Sequence, residues 1–400
     1  MDFSFSESEQ ALYDGALAFA RSQSATGADA GVPPEPSRAL VDRSRWLACA
    51  EFGLTGLSVP PELGGLGLTA LATARVVEAF GRGGDDGGLL FSACAHLFAV
   101  TMPIVDHASA ALRAEVVPEL ASGRRIGANA ITEPGAGSDT SALATRAVRD
   151  GEGYRISGDK SYVTNGPVAD EYLVYATTNA RAGYLGQTAF LVPRDTPGLT
   201  VSKPFAKTGL PGSPIGTVHL GDCYVPTSRR VGREGQGARI FARSMAWERA
   251  CLFAAFVGAM DASLDRCVDY ACAREQRGRP IVSHQAVSHR LAEMKRRLES
   301  ARLLLYRACW AHDQGMDATL DISLAKLAVS EAALESGIDA IRVHGGLGYM
   351  KESGADRALL DALGSTIFSG TSDIQRELIV RELVASADRD RRARGRSAAA

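Results

Sequence analysis

The sequence predicts an α+β fold with an N-terminal all-helical domain, a middle β-domain of the barrel or sandwich type, and a C-terminal four-helix bundle. Three observations predict it. Apolar residues have helical spacing up to about residue 125, short β-rich runs follow between 126 and 240, and long amphipathic segments return after 241. We therefore place domains at 1–125, 126–240 and 241–388, and expect a disordered tail at 389–400.

The first region predicts helices. Ser6 and Glu9 have the spacing of a capping box at a helix start. The apolar stretch Ala93–Val105 contains polar residues and is too short to span a bilayer, so it predicts a buried helix. Further helical patterns occupy Ala39–Glu51 and Ala70–Arg82, with breaks at Pro33, Pro34 and Pro36 and a loop at Gly81–Gly88.

The middle region changes period. Its strands are not separated by helical patterns, which excludes a parallel βαβ sheet. Gly, Pro and Asp punctuate the runs at the short intervals that a small β-barrel or sandwich requires. The predicted strands include Tyr154–Ile156, Tyr172–Ala176, Ala189–Val192 and Val218–Leu220.

The third region contains four long helical patterns, which indicate a four-helix bundle. Pro280 and Gly315 lie between patterns, where helices end. The arginines of the tail are interpreted as a solvated terminus, and contact with an acidic partner is the alternative. The four patterns are Ala242–Glu275, Ser283–Gln314, Asp317–Val343 and Ser372–Ala387.

Composition excludes several classes of function. The net charge is −2, whereas nucleic-acid and anionic-membrane binding favour a basic surface. The start has no secretory pattern, and seven scattered cysteines without a CxxC pair are typical of buried thiols in a reducing cytoplasm. His284 and His289 lack nearby acidic or thiolate partners, so we expect no metal site.

Two loop motifs can bind a flat, polar ligand. Gly and Pro compact the segment 131–139, ITEPGAGSD, and allow backbone N–H groups to approach a ligand. The segment 160–166, KSYVTNG, combines an aromatic face with a hydroxyl at a strand end. Taken singly, each is equally compatible with an ordinary turn.

Two further motifs are rich in glycine. HGGLGY at 344–349 follows a helix and is not the GxGxxG of a Rossmann site. FSGTSDIQR at 368–376 opens the last helix, where N–H groups and hydroxyls can bind a pyrophosphate. A capped helix end is the alternative for each.

In order and spacing, these motifs together resemble the acyl-CoA dehydrogenase family over nearly the whole chain. The resemblance implies an FAD oxidoreductase that introduces a double bond between the α and β carbons of an acyl thioester. It also implies a cytoplasmic homotetramer or homodimer and an electron-transferring flavoprotein as partner. Arg277, where the family has Phe, and Arg342, where it has Gln, depart from its pattern.

The resemblance also assigns residues. Thr132 would bond the polar edge of the isoalloxazine, Thr164 would lie near its hydride-accepting nitrogen, and the neighbouring subunit would supply several diphosphate or adenine contacts. The cofactor set is Ile131, Thr132, Gly137, Ser138, Tyr162, Val163, Thr164, Arg274, Gln285, Arg342, Gly345, Gly346, Thr371, Ser372 and Gln375. The substrate set is Ser138, Arg249, Ser369 and Gly370.

The reaction needs a carboxylate to remove the α-proton. Many family members have Glu immediately before Gly-Thr-Ser, but this chain has Ser369 there. Glu248 stands in an apolar stretch and is followed by Arg249, which resembles the placement of the catalytic Glu in isovaleryl-CoA dehydrogenase. We predict Glu248 as the base, with a surface Glu paired to Arg249 or Arg243 as the alternative.

Three questions stay open at this point. The runs 247–256 and 302–310 resemble a natural-product branch that includes prolyl-carrier dehydrogenases of pyrrole formation, so the acyl group is carried either on a carrier protein or on CoA. The same fold also serves flavin oxidases and monooxygenases. A flavoprotein without catalysis is the third possibility, which Ser369 favours if Glu248 faces solvent.

Overall fold

The computed structural model describes residues 5–24 and 41–397. The breaks expected at residues 33, 34 and 36 lie outside these ranges. The first domain is helical as predicted, and Ser6 and Glu9 form the capping box, each bonding the other's backbone N–H. Its helices are α1 (Glu7–Ser22), α2 (Arg43–Phe52), α3 (Ala70–Gly83), α4 (Gly87–His96), α5 (Met102–His107) and α6 (Ala110–Ala121).

Two predictions for this domain need correction. The loop expected over Gly81–Gly88 is shorter, because α3 continues to Gly83 and Asp86 caps the start of α4 through the Leu89 N–H. The helix expected at Ala93–Val105 is longer: α4 and α5 are joined by the π-helical turn Leu97–Thr101. The resulting stretch Gly87–His107 is long and apolar enough to cross a membrane, but 94% of its apolar window is buried within the protein.

The middle domain is one eight-stranded sheet, in the order β6-β7-β3-β2-β4-β5-β8, with β1 parallel to β4. Most pairings are antiparallel, and every predicted run lies within a strand. The strands are β1 (Gly127–Ala130), β2 (Arg146–Asp150), β3 (Gly153–Thr164), β4 (Glu171–Thr177), β5 (Gln187–Pro193), β6 (Leu199–Val201), β7 (Ile215–Pro226) and β8 (Arg230–Val231).

The C-terminal domain contains the predicted long helices, with α10 packed against α8, α9 and α12. A π-helical turn, Glu248–Leu252, joins α7 and α8 into one rod. A short hairpin of β9 (Glu275–Gln276) and β10 (Arg279–Pro280) follows. The helices are α7 (Gly237–Trp247), α8 (Ala254–Ala273), α9 (Gln285–Asp313), α10 (Thr319–His344), α11 (Ala355–Ser365) and α12 (Ser372–Ser397).

Two features of this domain differ from expectation. The helix α11 lies between the two glycine-rich motifs and is not among the four helices that the sequence predicts. The last helix continues to Ser397, so residues 389–397 are helical and not the expected disordered tail. Arginine and alanine are strong helix formers, and this composition suits the extension of a helix already nucleated in the bundle.

The first domain is fixed to the bundle through α3, which packs on α8. A Cβ on Gly258 would lie 2.0 Å from the Glu78 carbonyl oxygen, so only glycine permits this close crossing. The Arg302 guanidinium donates to Glu78 and Asp261, each at 2.9 Å. Because Glu78 is only 2% exposed, this charge network compensates for the cost of burying its carboxylate.

Candidate active site

The three domains surround one large cavity of about 1560 Å³. Its wall takes residues from α4, the loop after β1, the end of β3, α7 with its π-turn, and the starts of α10 and α12. Of the predicted site residues, those in contact with this cavity are Ile131, Thr132, Gly137, Ser138, Tyr162, Thr164, Glu248, Arg249, Ser369, Gly370 and Thr371.

Glu248 lines the cavity and is only 7% exposed. It is the first residue of the π-helical turn, a distortion of the helix ladder that is frequent at functional sites. Burial raises the pKa of its carboxyl group, although the Ser369 hydrogen bond and the charge of Arg249 oppose that shift. Glu248 therefore is not the solvent-exposed surface Glu of the alternative interpretation.

Ser369 contacts both residues of the Glu248–Arg249 pair. Its hydroxyl donates to Glu248 Oε1, and its carbonyl accepts from Arg249 Nε at 2.7 Å. Ser369 and Gly370 have φ values of 57° and 86°, an uncommon pair of left-handed residues that turns the chain sharply before α12. In the described part of the chain their N–H groups donate to no acceptor, so both remain available to a ligand.

The loop 131–139 is anchored by a buried ion pair. Lys160 Nζ donates to Glu133 Oε1 at 2.6 Å and to the Ile131 carbonyl at 3.1 Å, and Lys160 is 0% exposed. The Glu133 carboxylate also accepts from the Ala144 and Thr145 N–H groups. Burial lowers the pKa of Lys160 to about 8, so this ammonium is still charged at neutral pH.

The segment 162–164 presents two of its three side chains to the cavity. A register shift between Lys160 and Val163 interrupts the β3–β7 ladder, and Tyr162 there has φ 54° and is 70% exposed. Such a bulge re-aims a side chain out of the sheet. Val163 points into the core and is 1% exposed, so only its backbone is available as part of a flavin platform.

The start of α12 contains polar atoms that lack partners. Ser372 Oγ and Gln375 Oε1 are buried and make no hydrogen bond in the described part of the chain. Gln375 Nε2 donates to the Gly370 carbonyl at 3.0 Å, which fixes the amide beneath the turn. Unpaired polar groups at a helix N-terminus are suited to receive an anionic or polar ligand.

Besides Val163, Ser372 and Gln375, five predicted cofactor residues do not line this cavity. Arg274 ends α8, Gln285 begins α9, and Arg342 is held near Asp339 at 3.5 Å. In the single chain all five are exposed, which is compatible with contact to a neighbouring subunit's cofactor. The five are Arg274, Gln285, Arg342, Gly345 and Gly346.

Sequence reasoning missed two charged residues in the cavity wall. Lys207 Nζ donates to the Leu210 and Ser213 carbonyls, and Asp361 accepts from the Leu210 N–H at 2.5 Å. Burial lowers the pKa of Lys207 to about 8 and raises that of Asp361 to about 6. Neither belongs to a recognisable motif, since they meet only through the fold.

The cavity fits a flavin dinucleotide by the chemistry of its wall. Beside the unpaired groups at α12, Asn129 Oδ1 is a buried acceptor without a partner in the described residues. A Cβ on Gly137 would meet no atom within 4 Å, which leaves space for a ring beside the backbone. A ring N–H could donate to Asn129 Oδ1, and a diphosphate could accept from the Ser372 hydroxyl, whereas Gln375 Oε1 would need a donor such as a ligand hydroxyl.

Comparison with known proteins identifies the family. The N-terminal, middle and C-terminal domains of acyl-CoA dehydrogenase match residues 6–124, 128–223 and 235–384. The chain belongs to the acyl-CoA dehydrogenase family. It is therefore an FAD-dependent oxidoreductase that dehydrogenates acyl thioesters, as the resemblance predicted, and the family fold is confirmed.

Three relatives refine the family assignment. The L-prolyl-[peptidyl-carrier protein] dehydrogenase of Pseudomonas fluorescens is 53% identical over 87% of this chain and 92% of that protein. The structure of PigA with FAD and proline has a TM-score of 0.92 at 42% identity, covering 96% of this chain and 99% of that one. The prolyl acyl carrier protein oxidase AnaB has a TM-score of 0.91 at 37% identity, covering 95% and 100%.

Proposed function

We propose that this enzyme dehydrogenates a prolyl group held as a thioester on the phosphopantetheine arm of a carrier protein, with Glu248 as the base. The observation that carries the chemistry is a carboxylate buried in the cavity wall within hydrogen-bonding distance of Ser369. The carrier-bound substrate is supported by relatives that act on prolyl carriers.

Glu248 would remove the proton from the α-carbon. A desolvated carboxylate with a raised pKa is a stronger base once ionised, and general bases contribute about 10²–10⁴-fold to rate. FAD, when bound, supplies the acceptor for the hydride that leaves the β-carbon. The electron pair of the broken α-C–H bond then forms the new double bond, and the proton stays on Glu248 Oε.

The turn before α12 would acidify the α-proton. Free N–H groups at Ser369 and Gly370 are suited to bond the thioester carbonyl, where charge accumulates as the proton leaves. Arg249 holds this turn through the Ser369 carbonyl, and its side chain is partly buried. Burial lowers the pKa of Arg249 to about 10, so at neutral pH it remains a cation beside the developing charge.

The cofactor would be held by the loop 131–139, the segment 162–164 and the start of α12 within one subunit. Arg274, Gln285 and the segment 342–346 would complete it from a neighbouring subunit of a homodimer or homotetramer. An electron-transferring flavoprotein would then reoxidise the enzyme. Reoxidation by oxygen is the second candidate, because AnaB is named an oxidase.

The test watches flavin absorbance under anaerobic conditions with L-proline on a peptidyl carrier protein, on CoA and on pantetheine. We expect all three thioesters to bleach the flavin. The value of kcat/KM should be at least tenfold higher for the carrier protein than for CoA, which corresponds to about 1.4 kcal/mol. A smaller advantage would make this an ordinary acyl-CoA dehydrogenase. Admitting oxygen after bleaching distinguishes the acceptors, since rapid recovery of colour identifies an oxidase.

A further inference from the structure

The mouth of the cavity is bordered by exposed arginines. Arg239 and Arg243 lie one turn apart on α7, line the cavity and are exposed. The segment 180–186 packs beside the start of α7, where a Cβ on Gly235 would lie 2.9 Å from the Leu185 carbonyl. We define the α7 rim as Arg181, Tyr184, Leu185, Arg233, Arg239 and Arg243.

The arginines of the α7 rim have no acidic partner. None of the four forms an ion pair within the described ranges 5–24 and 41–397. The acid beside them, Glu234, is already bonded to the Tyr154 hydroxyl at 2.8 Å and lies 3.5 Å from Arg149. The rim therefore carries four arginines that make no direct ion pair in the described residues, although Asp106 lies near Arg239 and Arg243 around His107.

The rim also contains two exposed apolar side chains. Tyr184 is 55% exposed and Leu185 is 60% exposed, and they lie among the arginines. Unpaired cations surrounding exposed apolar side chains are typical of a surface that binds an acidic protein.

The rim stands at a suitable distance from the base. Arg239 precedes Glu248 by nine residues on one helical rod, which at 1.5 Å per residue is about 14 Å along the axis. Both side chains line the same cavity. A pantetheine arm extends across such a span, so its thioester would reach Glu248 while its phosphate remained near the rim.

We propose that the α7 rim docks the acidic helical surface that surrounds the phosphopantetheine attachment site of a carrier protein. This inference rests on the proposed carrier-bound substrate. The arginines would steer association, and Tyr184 and Leu185 would be covered in the complex. CoA presents the same arm without the protein surface, so it would gain little from the rim.

The experiment compares the double variants Arg239→Gln/Arg243→Gln and Arg181→Gln/Arg233→Gln with the wild type. The probes are L-prolyl thioesters of pantetheine, of CoA and of the carrier protein served by the Pseudomonas fluorescens relative. We expect kcat/KM for the carrier to fall at least about fivefold in each double variant, while that for pantetheine is unchanged. Added salt should reduce the carrier value more steeply in the wild type than in the variants.

The control variant Arg21→Gln/Lys203→Gln removes two exposed cations that do not line the cavity, and it should leave all three values unchanged. An equal loss for carrier and CoA would overturn the proposal, since the arginines would then bind the shared phosphate. No loss, or an equal loss for all three probes, would also overturn it. Failure of the wild type to oxidise the prolyl carrier protein would instead contradict the proposed function.

Discussion

Ser369 Oγ donates a hydrogen bond to Glu248 Oε1, across 121 residues of sequence. In many family members the catalytic carboxylate stands at position 369 itself. This chain has a hydroxyl at that position, and the hydroxyl is bonded to the carboxylate of Glu248. The hydroxyl stabilises the ionised form of Glu248, while Arg249 holds the same turn through its carbonyl. Ser369 and Arg249 therefore both favour the ionised form of Glu248.

The first prediction concerns the base. Glu248→Gln should slow flavin reduction by about 10²–10⁴-fold or more while FAD and substrate stay bound, because the amide keeps shape but cannot accept a proton. Anaerobic stopped-flow absorbance measures the reduction rate, and the flavin spectrum measures occupancy. If Glu248→Gln still reduces the flavin and Ser369→Ala does not, Glu248 is not the base.

The second prediction concerns pH. The Ser369 hydrogen bond lowers the pKa of Glu248 relative to burial alone, so Ser369→Ala should raise that pKa further. Because Glu248 must be ionised to act, the acidic limb of kcat/KM should move to higher pH. Above that limb the variant should approach wild-type activity to within about tenfold.

Ser365→Ala is the matched control for this shift. Its hydroxyl is also buried near the end of α11, but it donates to the Ala362 carbonyl at 2.6 Å and does not line the cavity. We expect its acidic limb to coincide with that of the wild type. An unmoved limb in Ser369→Ala would show that the hydroxyl does not tune the base.

The third prediction concerns the Lys160–Glu133 ion pair beneath the loop 131–139. Lys160→Met would leave Glu133 buried at 5% exposure without its ammonium partner, and removing one partner of such a pair costs about 3–5 kcal/mol. The loop 131–139 should loosen, and bound FAD should dissociate more readily. Flavin fluorescence on dilution measures the release.

Two further variants isolate that effect. Lys160→Met/Glu133→Gln removes both charges and should recover part of the FAD affinity. Arg155→Met removes a partner of Asp150 in the same sheet, at 2.8 Å but half exposed, and should have little effect. Equal FAD loss in Arg155→Met and Lys160→Met would mean that burial of the pair is irrelevant.

The fourth prediction links FAD to subunit association. Arg274 and Arg342 lie outside the cavity in the single chain, so their variants Arg274→Ala and Arg342→Ala should weaken FAD binding only through a neighbouring subunit. FAD content should fall as wild-type protein is diluted into monomers. Analytical ultracentrifugation with flavin detection follows both quantities, and Arg296→Ala, at an exposed position of α9, serves as the control. A monomer with full FAD would contradict the link.

Much of this site was predictable because its motifs are local. Thr132, Ser138, Tyr162 and Thr164 belong to two short segments whose turns are determined by nearby Gly and Asn. Glu248 was predicted as the base by its place in an apolar run and by resemblance. The structure brings all five to one cavity.

The rest depends on contacts that a sequence does not encode locally. The Ser369–Glu248 hydrogen bond joins the turn before α12 to the π-helical turn after α7, 121 residues apart in the sequence. Lys160 belongs to the motif 160–166, but its burial against Glu133 depends on the packing of β3 under the loop 131–139. Lys207 and Asp361 meet through the packing of a loop on α11.

The fifth prediction concerns acid stability. His96 is 0% exposed, accepts from the Gly127 N–H at 2.8 Å and lies 3.1 Å from the Leu120 carbonyl, to which its other ring nitrogen donates. It thereby ties α4 to the start of the sheet and the end of α6. The bond from Gly127 needs the neutral imidazole, because a protonated ring has no acceptor nitrogen, and burial lowers the pKa of His96 to about 4.

The sign of the effect follows from that lowered pKa. Below the ordinary histidine pKa of about 6.5 the unfolded chain binds a proton at His96, whereas the folded chain does not until about pH 4. The stabilisation from His96 is therefore complete above pH 6.5 and is lost as the pH falls to about 4. The difference corresponds to roughly 3 kcal/mol of unfolding free energy.

His96→Gln provides the test, because an amide can accept from Gly127 and donate to Leu120 but does not titrate. Urea unfolding at fixed FAD between pH 7 and pH 4 should give a shallower loss of stability in the variant than in the wild type. His289→Gln, which changes an exposed histidine on α9, should retain the wild-type slope. If His96→Gln loses stability as steeply as the wild type, acid sensitivity originates elsewhere, with His107 and His312, whose pKa values burial also lowers, as the next residues to replace.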